Sequence, residues 1–206
     1  MFSFNTFDST LSLAVAVIGT LVVSFVLFRM SFSYTKKRAH RRYADGKQQV
    51  PSVSSFKILS KVLFMTSMLL TLSSFWVSSN LLLTLHNQPS IQLIGIALIL
   101  FGYINLSRAF NHLGDNYSPL FDAHSPSSLI TTGAYRYIRH PIYLFNLCVS
   151  FGLAIASGSG IVAMNATIGL FFILKTISIE EDYLTDHFKD YHAYSKSSWR
   201  LIPFLY

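Results

Sequence analysis

Five apolar runs separated by polar links set the pattern of this chain. They cover about 10–28, 58–83, 91–106, 141–156 and 161–179. Runs of this length suit helices that cross a bilayer core. A helix also satisfies its backbone polar groups within one segment, which a span in lipid requires. The pattern predicts an all-α, polytopic integral membrane protein with about five transmembrane helices. In the polar tail, 183–206, Leu184, Phe188 and Tyr191 recur at i, i+4 and i+7. That spacing predicts an amphipathic helix lying in the interface. Trp199, Pro203, Phe204 and Tyr206 would close it against the membrane surface. No internal repeat or low-complexity tract interrupts the pattern, so 1–206 reads as one membrane domain.

Punctuation sharpens two places. The link Ser157-Gly158-Ser159-Gly160 is tight, so the fourth and fifth runs form a helical hairpin. Pro141 fits the first turn of a helix, where its missing N–H is not needed. The residue before a proline is pushed out of the α region, so His140 should stand just outside that helix.

Composition and charge then narrow the class. The 206 residues are 51% hydrophobic and 12% charged, with a formal net charge of +7. Such a basic balance could indicate nucleic acid. Here the basic residues sit beside apolar runs, which points to lipid headgroups and topology instead. The strongest cluster is Lys36, Lys37, Arg38, Arg41 and Arg42, with His40 among them and Lys47 soon after. No Lys or Arg precedes Arg29, so the first run lacks the basic flank of a signal peptide and reads as a retained helix. Lys61 can snorkel to the same side as the basic cluster. The link 86–90 has no Lys or Arg. Five crossings then put the N-terminus outside, with the C-terminus and all basic clusters in the cytoplasm. The single cysteine, Cys148, lies in an apolar run and reads as a small buried hydrophobe.

Three polar elements converge on the cytoplasmic face under this topology. One is the stretch 111–137, with Asn111, His112, Asp115, Asn116, Asp122 and His124. A long polar loop of this kind suits a binding loop or lid. The second is the corner Arg139-His140-Pro141, where a helix N-terminus favours an anion. The third is Glu180-Glu181, which the hairpin returns near Arg139. Acids at an intramembrane boundary mark a site, although a solvated start to the tail helix would also carry them. Cations, carboxylates and tyrosines together suit a nucleotide-like ligand with an anionic and a cationic group. His112, Asp115, His124 and His140 match no metal-ligand spacing, so no metal site is expected.

The segment Gly133-x-Tyr135-Arg136-x-x-Arg139-His140-Pro141-x-Tyr143 is followed by Glu180-Glu181-x-x-Leu184, Phe188-x-x-Tyr191-x-x-Tyr194 and Ile202-Pro203. This series resembles the isoprenylcysteine carboxyl methyltransferase and phospholipid methyltransferase superfamily. The upstream 113–118 segment resembles it too. The resemblance covers about 105–206 and implies that this half is the cofactor-binding catalytic half, with 1–104 supplying N-terminal transmembrane helices. It implies S-adenosylmethionine as cofactor and a lipophilic or lipid-modified methyl acceptor. It also implies that His140, Pro141, Tyr143, Glu180 and Glu181 line the cofactor pocket, with Tyr135 as a further lining residue. Arg139 would hold a carboxylate, and His140 would bond the cofactor or accept a substrate proton. One departure stands out. The superfamily often has a small residue where this chain has Phe145, and a ring there would narrow the groove or face lipid. Two other readings remain. Membrane sterol or double-bond reductases that bind NADPH have a similar C-terminal region, but carry Asn and Gly-Asp where this chain has Ile142 and Phe145-Asn146. A catalytically degenerate scaffold is the third.

Overall fold

The computed structural model describes residues 3–4, 10–41, 54–78, 83–116 and 128–206. Arg42 and Lys47 of the basic cluster lie outside the described residues, as do Asp122 and His124 of the polar stretch. Among the described residues the regular structure is helical, with a two-residue antiparallel pairing of β1 (Ser3–Phe4) with β2 (Val77–Ser78) and two isolated bridges. The helices are α1 (Thr10–Arg41), α2 (Ser54–Ser74), α3 (Pro89–Leu113), α4 (Pro141–Ser157), α5 (Gly160–His187) and α6 (Tyr191–Ser197).

Each apolar run nucleates a helix, but helix and run end at different places. Helix α1 passes the expected end at 28 and continues through the basic cluster to Arg41. Lys, Arg and Ala are strong helix formers, so loss of hydrophobicity does not stop it. Helix α2 stops at Ser74, well short of 83. There Ser73 and Ser74 donate their hydroxyls back to the carbonyls of Leu70 and Thr71. Such bonds compete with the helical ladder. Helix α3 starts on Pro89 at its first turn and runs past 106 to Leu113. Asn111 and His112 are therefore helical rather than part of a loop.

The tail differs most from its expectation. Helix α5 runs straight through Glu180 and Glu181 to His187. The chain then leaves the helix at Phe188, which is extended, and α6 is only seven residues long. Leu184, Phe188 and Tyr191 thus do not line one face of a single interfacial helix. The tail folds back instead, which buries Tyr191 and Tyr194.

Helices α3 and α4 share the most extensive contact of the bundle. A seam of small residues allows it: a side chain at Gly95 would strike the backbone at Ala156, and one at Gly152 would strike Ile99. Close backbone approach at small residues is how helices associate where lipid is as apolar as leucine. Helix α1 packs on α3, and α2 packs on α4 and α5. The core joins Val15 and Val23 to Met68, Phe75, Ile99, Val149, Leu153 and Val162. Leu21, Leu69, Ile94, Phe101 and Phe171 face outward. Helices α3 and α5 are each long and apolar enough to cross a membrane. Shorter apolar helices cover Thr10–Val26 and Pro141–Ser157.

Candidate functional site

The hairpin of α4 and α5 places the site. Pro141 occupies the first turn of α4, and His140 caps it with φ −121° and ψ 57°, outside the helical region. A proline disfavours the α region for its predecessor, and His140 lies outside it. The preceding 3-10 turn, Gly133–Arg136, opens on Gly133, which adopts φ 62° and where a side chain would also strike the His112 ring. Helix α5 returns Glu180 and Glu181 to this corner, about two turns before its own end.

The two carboxylates meet different partners. Arg139 donates from Nε to Glu181 Oε1 at 2.7 Å. Arg200 donates from Nε to Glu181 Oε2 at 2.6 Å, with Nη2 at the same distance. His140 Nε2 lies 3.3 Å from Glu181 Oε1. Glu181 is thus clamped between two guanidiniums and an imidazole. Glu180 accepts from the Tyr143 hydroxyl at 2.6 Å and lies 3.3 Å from His140 Nδ1. The Glu180 side chain is 16% exposed and that of Glu181 10%. The anions received at the Arg139–His140 corner are the chain's own.

Arg139 is spent on the fold as well. Its Nη1 donates to the carbonyls of Ser195, at 2.8 Å, and Ser198. The segment after α6 then runs parallel to 137–140. Trp199 donates its N–H to Tyr137, Arg139 to Trp199, and His140 to Arg200. Tyr194 donates its hydroxyl to the Tyr135 carbonyl at 2.6 Å. Tyr143 stacks on His140 with ring centroids 5.8 Å apart.

His140 is 5% exposed. Burial alone would lower its pKa, but the hydrogen bonds and charges of Glu180 and Glu181 outweigh burial and hold it above the ordinary value. Two carboxylates against one imidazole favour the imidazolium. The hydrogen bond to Glu181 likewise raises Arg200. Burial, and then Glu181, pushes the Tyr191 hydroxyl well up. That hydroxyl is buried and forms no well-aligned hydrogen bond.

Three comparisons with known proteins bear on this arrangement. A family model for phospholipid methyltransferases matches residues 91–191. The protein-S-isoprenylcysteine O-methyltransferase of Dictyostelium discoideum is 31% identical over 157 residues, which cover 74% of this chain and 65% of that protein. The chain is thus similar to the isoprenylcysteine carboxyl methyltransferase and phospholipid methyltransferase superfamily. Its fold is similar to that of the eukaryotic intramembrane Ras methyltransferase, an isoprenylcysteine carboxyl methyltransferase, with a TM-score of 0.52 at 21% identity. That match covers 74% of this chain and 52% of the other. The chain thus spans under two thirds of the relative's length and about half of the solved chain's.

The structure brings together Arg139, His140, Tyr143, Glu180 and Glu181, with Pro141 setting the corner. Tyr135 packs elsewhere, among Leu106, Ala109 and Phe145. Phe145 also meets Phe101 edge-on, with centroids 6.1 Å apart. Its ring is buried in the α3–α4 contact rather than facing lipid. Arg200, Tyr191 and the Ser195 and Ser198 carbonyls are the members that sequence reasoning missed. For Arg200 a signal existed: two adjacent acids facing Arg139 alone leave a charge to be matched.

Proposed function

We propose that this protein is an S-adenosylmethionine-dependent methyltransferase acting on a lipophilic acceptor at the cytoplasmic interface. The observation that carries the reading is the meeting of the Arg139-His140-Pro141 corner with Glu180 and Glu181 at one end of two apolar helices. The match to the phospholipid methyltransferase model supports the chemistry, and the Dictyostelium relative is named for an isoprenylcysteine acceptor.

The donor set fits such a cofactor. Glu181 is matched by two guanidiniums, whereas the partners of Glu180 are a phenol and an imidazole. Glu180 therefore offers the carboxylate best able to take an ammonium or ribose hydroxyls. His140 has both ring nitrogens toward carboxylates and serves as a hydrogen-bond partner, which leaves a base role second. Arg139, committed to Glu181 and to two carbonyls, positions the site. Pro141 and Tyr143 line it, and Tyr135 supports it by packing. When bound, S-adenosylmethionine supplies a methyl group on a sulfonium. Such displacement needs positioning more than a strong base. The buried His140–Glu pair gives a preorganised polar wall where charge disperses.

The same reading carries the topology: five crossings, with the N-terminus outside and the site cytoplasmic. Residues 105–206 form the catalytic half and 1–104 the supporting helices. The acceptor, a prenylcysteine carboxylate or a phospholipid amine, enters sideways from the inner leaflet. The 111–137 segment caps the cofactor.

Calorimetric titration of detergent-purified protein tests this with S-adenosylmethionine, S-adenosylhomocysteine and NADPH. The first two should bind, and Glu180→Gln should weaken them by roughly 10- to 100-fold, the worth of a charged hydrogen bond. Binding of NADPH alone would establish a reductase instead. Folded protein that binds none of the three would establish a scaffold.

A further inference from the structure

The segment after α6 is built as a hook. Leu201 and Ile202 both donate N–H to the Tyr206 carbonyl, at 2.8 and 3.0 Å, and Leu205 and Tyr206 donate back to Ile202. Leu201, 1% exposed, roots the hook between α4 and α5 beside Leu147 and Ile177. The tip does the opposite. Phe204 is 87% exposed and Leu205 76%. Phe204 adopts φ 66°, a left-handed conformation rare for a residue with a side chain. Trp199 leans on Phe204 with ring centroids 5.4 Å apart. Tyr137, joined to Trp199 through the backbone, is exposed and lies beneath the Arg136 guanidinium at 5.7 Å.

The hook is wired to the candidate site. Arg200, at its base, donates from Nη1 to the Tyr206 hydroxyl at 2.6 Å and stacks 5.2 Å over that ring. The same guanidinium holds Glu181. We propose that the 199–206 hook is a membrane-seated latch: Phe204 and Leu205 rest in the interfacial layer of an anionic bilayer, and that seat holds Arg200 on Glu181. The occupant follows from composition and charge. Exposed Trp, Tyr and Phe with cationic neighbours belong at the headgroup level. Exposed Arg136 and Lys196 adjoin Tyr137 and Trp199 along the chain and meet anionic headgroups. The proposal rests on the membrane reading of the fold and needs no assumption about the reaction.

The test uses the full chain, in a Trp76→Phe background, in nanodiscs of phosphatidylcholine with or without phosphatidylglycerol. Trp199 fluorescence should be quenched by lipids brominated near the headgroup and shielded from aqueous iodide, more so with phosphatidylglycerol. Phe204→Ser with Leu205→Ser should reverse that protection. Hydrogen exchange at the Arg139 and His140 amides, which bond Trp199 and Arg200, should then quicken by about tenfold, as for a locally opened segment. Arg200→Gln should quicken the same amides while leaving the Trp199 quenching in place. Three results would overturn the latch: iodide reaching Trp199 in both nanodiscs, equal seating without anionic lipid, or unseating that leaves the amides unchanged. The first would assign the patch to a protein partner. None of these readouts depends on methyl transfer, so failure of the latch and failure of the enzyme reading are separable.

Discussion

The α4–α5 hairpin has two ends built on opposite principles. At the turn, Gly158 adopts φ 61° and Gly160 opens α5 two residues later. Leu85 donates to the Gly158 carbonyl at 2.7 Å, and Gly160 donates to Leu83 at 2.8 Å. Backbone bonds and missing side chains close that end, and no charged side chain takes part in those bonds. At the other end Arg139, His140, Glu180, Glu181 and Arg200 fill the gap between the same two helices with charge. A closed end needs only backbone bonds, and its cost of opening is conformational. The charged end is held by side chains that each have more than one partner, so its opening can be set by ligand, pH or membrane. The polar end is where function can be placed.

Breaking the charged end should have the largest effect. Glu181→Gln leaves Arg139, Arg200 and His140 without their shared anion, at a cost of about 3–5 kcal/mol, as for a broken buried ion pair. Thermal unfolding in detergent should report it, together with lost cofactor binding. An unchanged midpoint would mean that the clamp is not structural. Phe145→Ala removes packing between α3 and α4 at a cost of about 3 kcal/mol. Since its ring packs against Leu106, Ala109 and Phe101, none of them a partner of Glu180 or Glu181 in the bonds above, affinity for S-adenosylhomocysteine should stay within about twofold, as expected for independent sites. A large affinity change in either direction would put Phe145 in the groove after all.

Gly158→Ala probes the closed end. The new side chain would meet the His86 carbonyl in a left-handed backbone, at about 1–3 kcal/mol. Stability should fall while ligand affinity holds, the reverse of Glu180→Gln. The smallest effect concerns pH. His140 is held above its ordinary value of 6.5, so its contribution is full below that pH and is lost as pH rises through the folded value. Wild-type thermal stability should decline over that rise relative to His140→Ala. Parallel profiles would show that His140 is neutral in the fold.

Hydrophobic periodicity and turn chemistry are local properties, and they made much of the fold legible. The all-α class, the hairpin turn at Gly158 and the proline-led start of α4 with His140 outside it needed only the residues themselves. The motif residues Arg139, His140, Glu180 and Glu181 could also be named, because their charge beside apolar runs is costly unless matched. Helix ends were legible only in part. Helix α5 crosses its acids without stopping, and Ser73 and Ser74 end α2 early, because helical bonding does not follow hydropathy. Tertiary structure alone decided which carboxylate takes which partner. Arg139 reaches Glu181 rather than Glu180, Arg200 comes from 19 residues along the chain to the same carboxylate, and Phe145 turns into α3. Those choices depend on helix rotation and on the fold-back of the tail. Both are set by packing between segments distant in the chain, which no local pattern encodes.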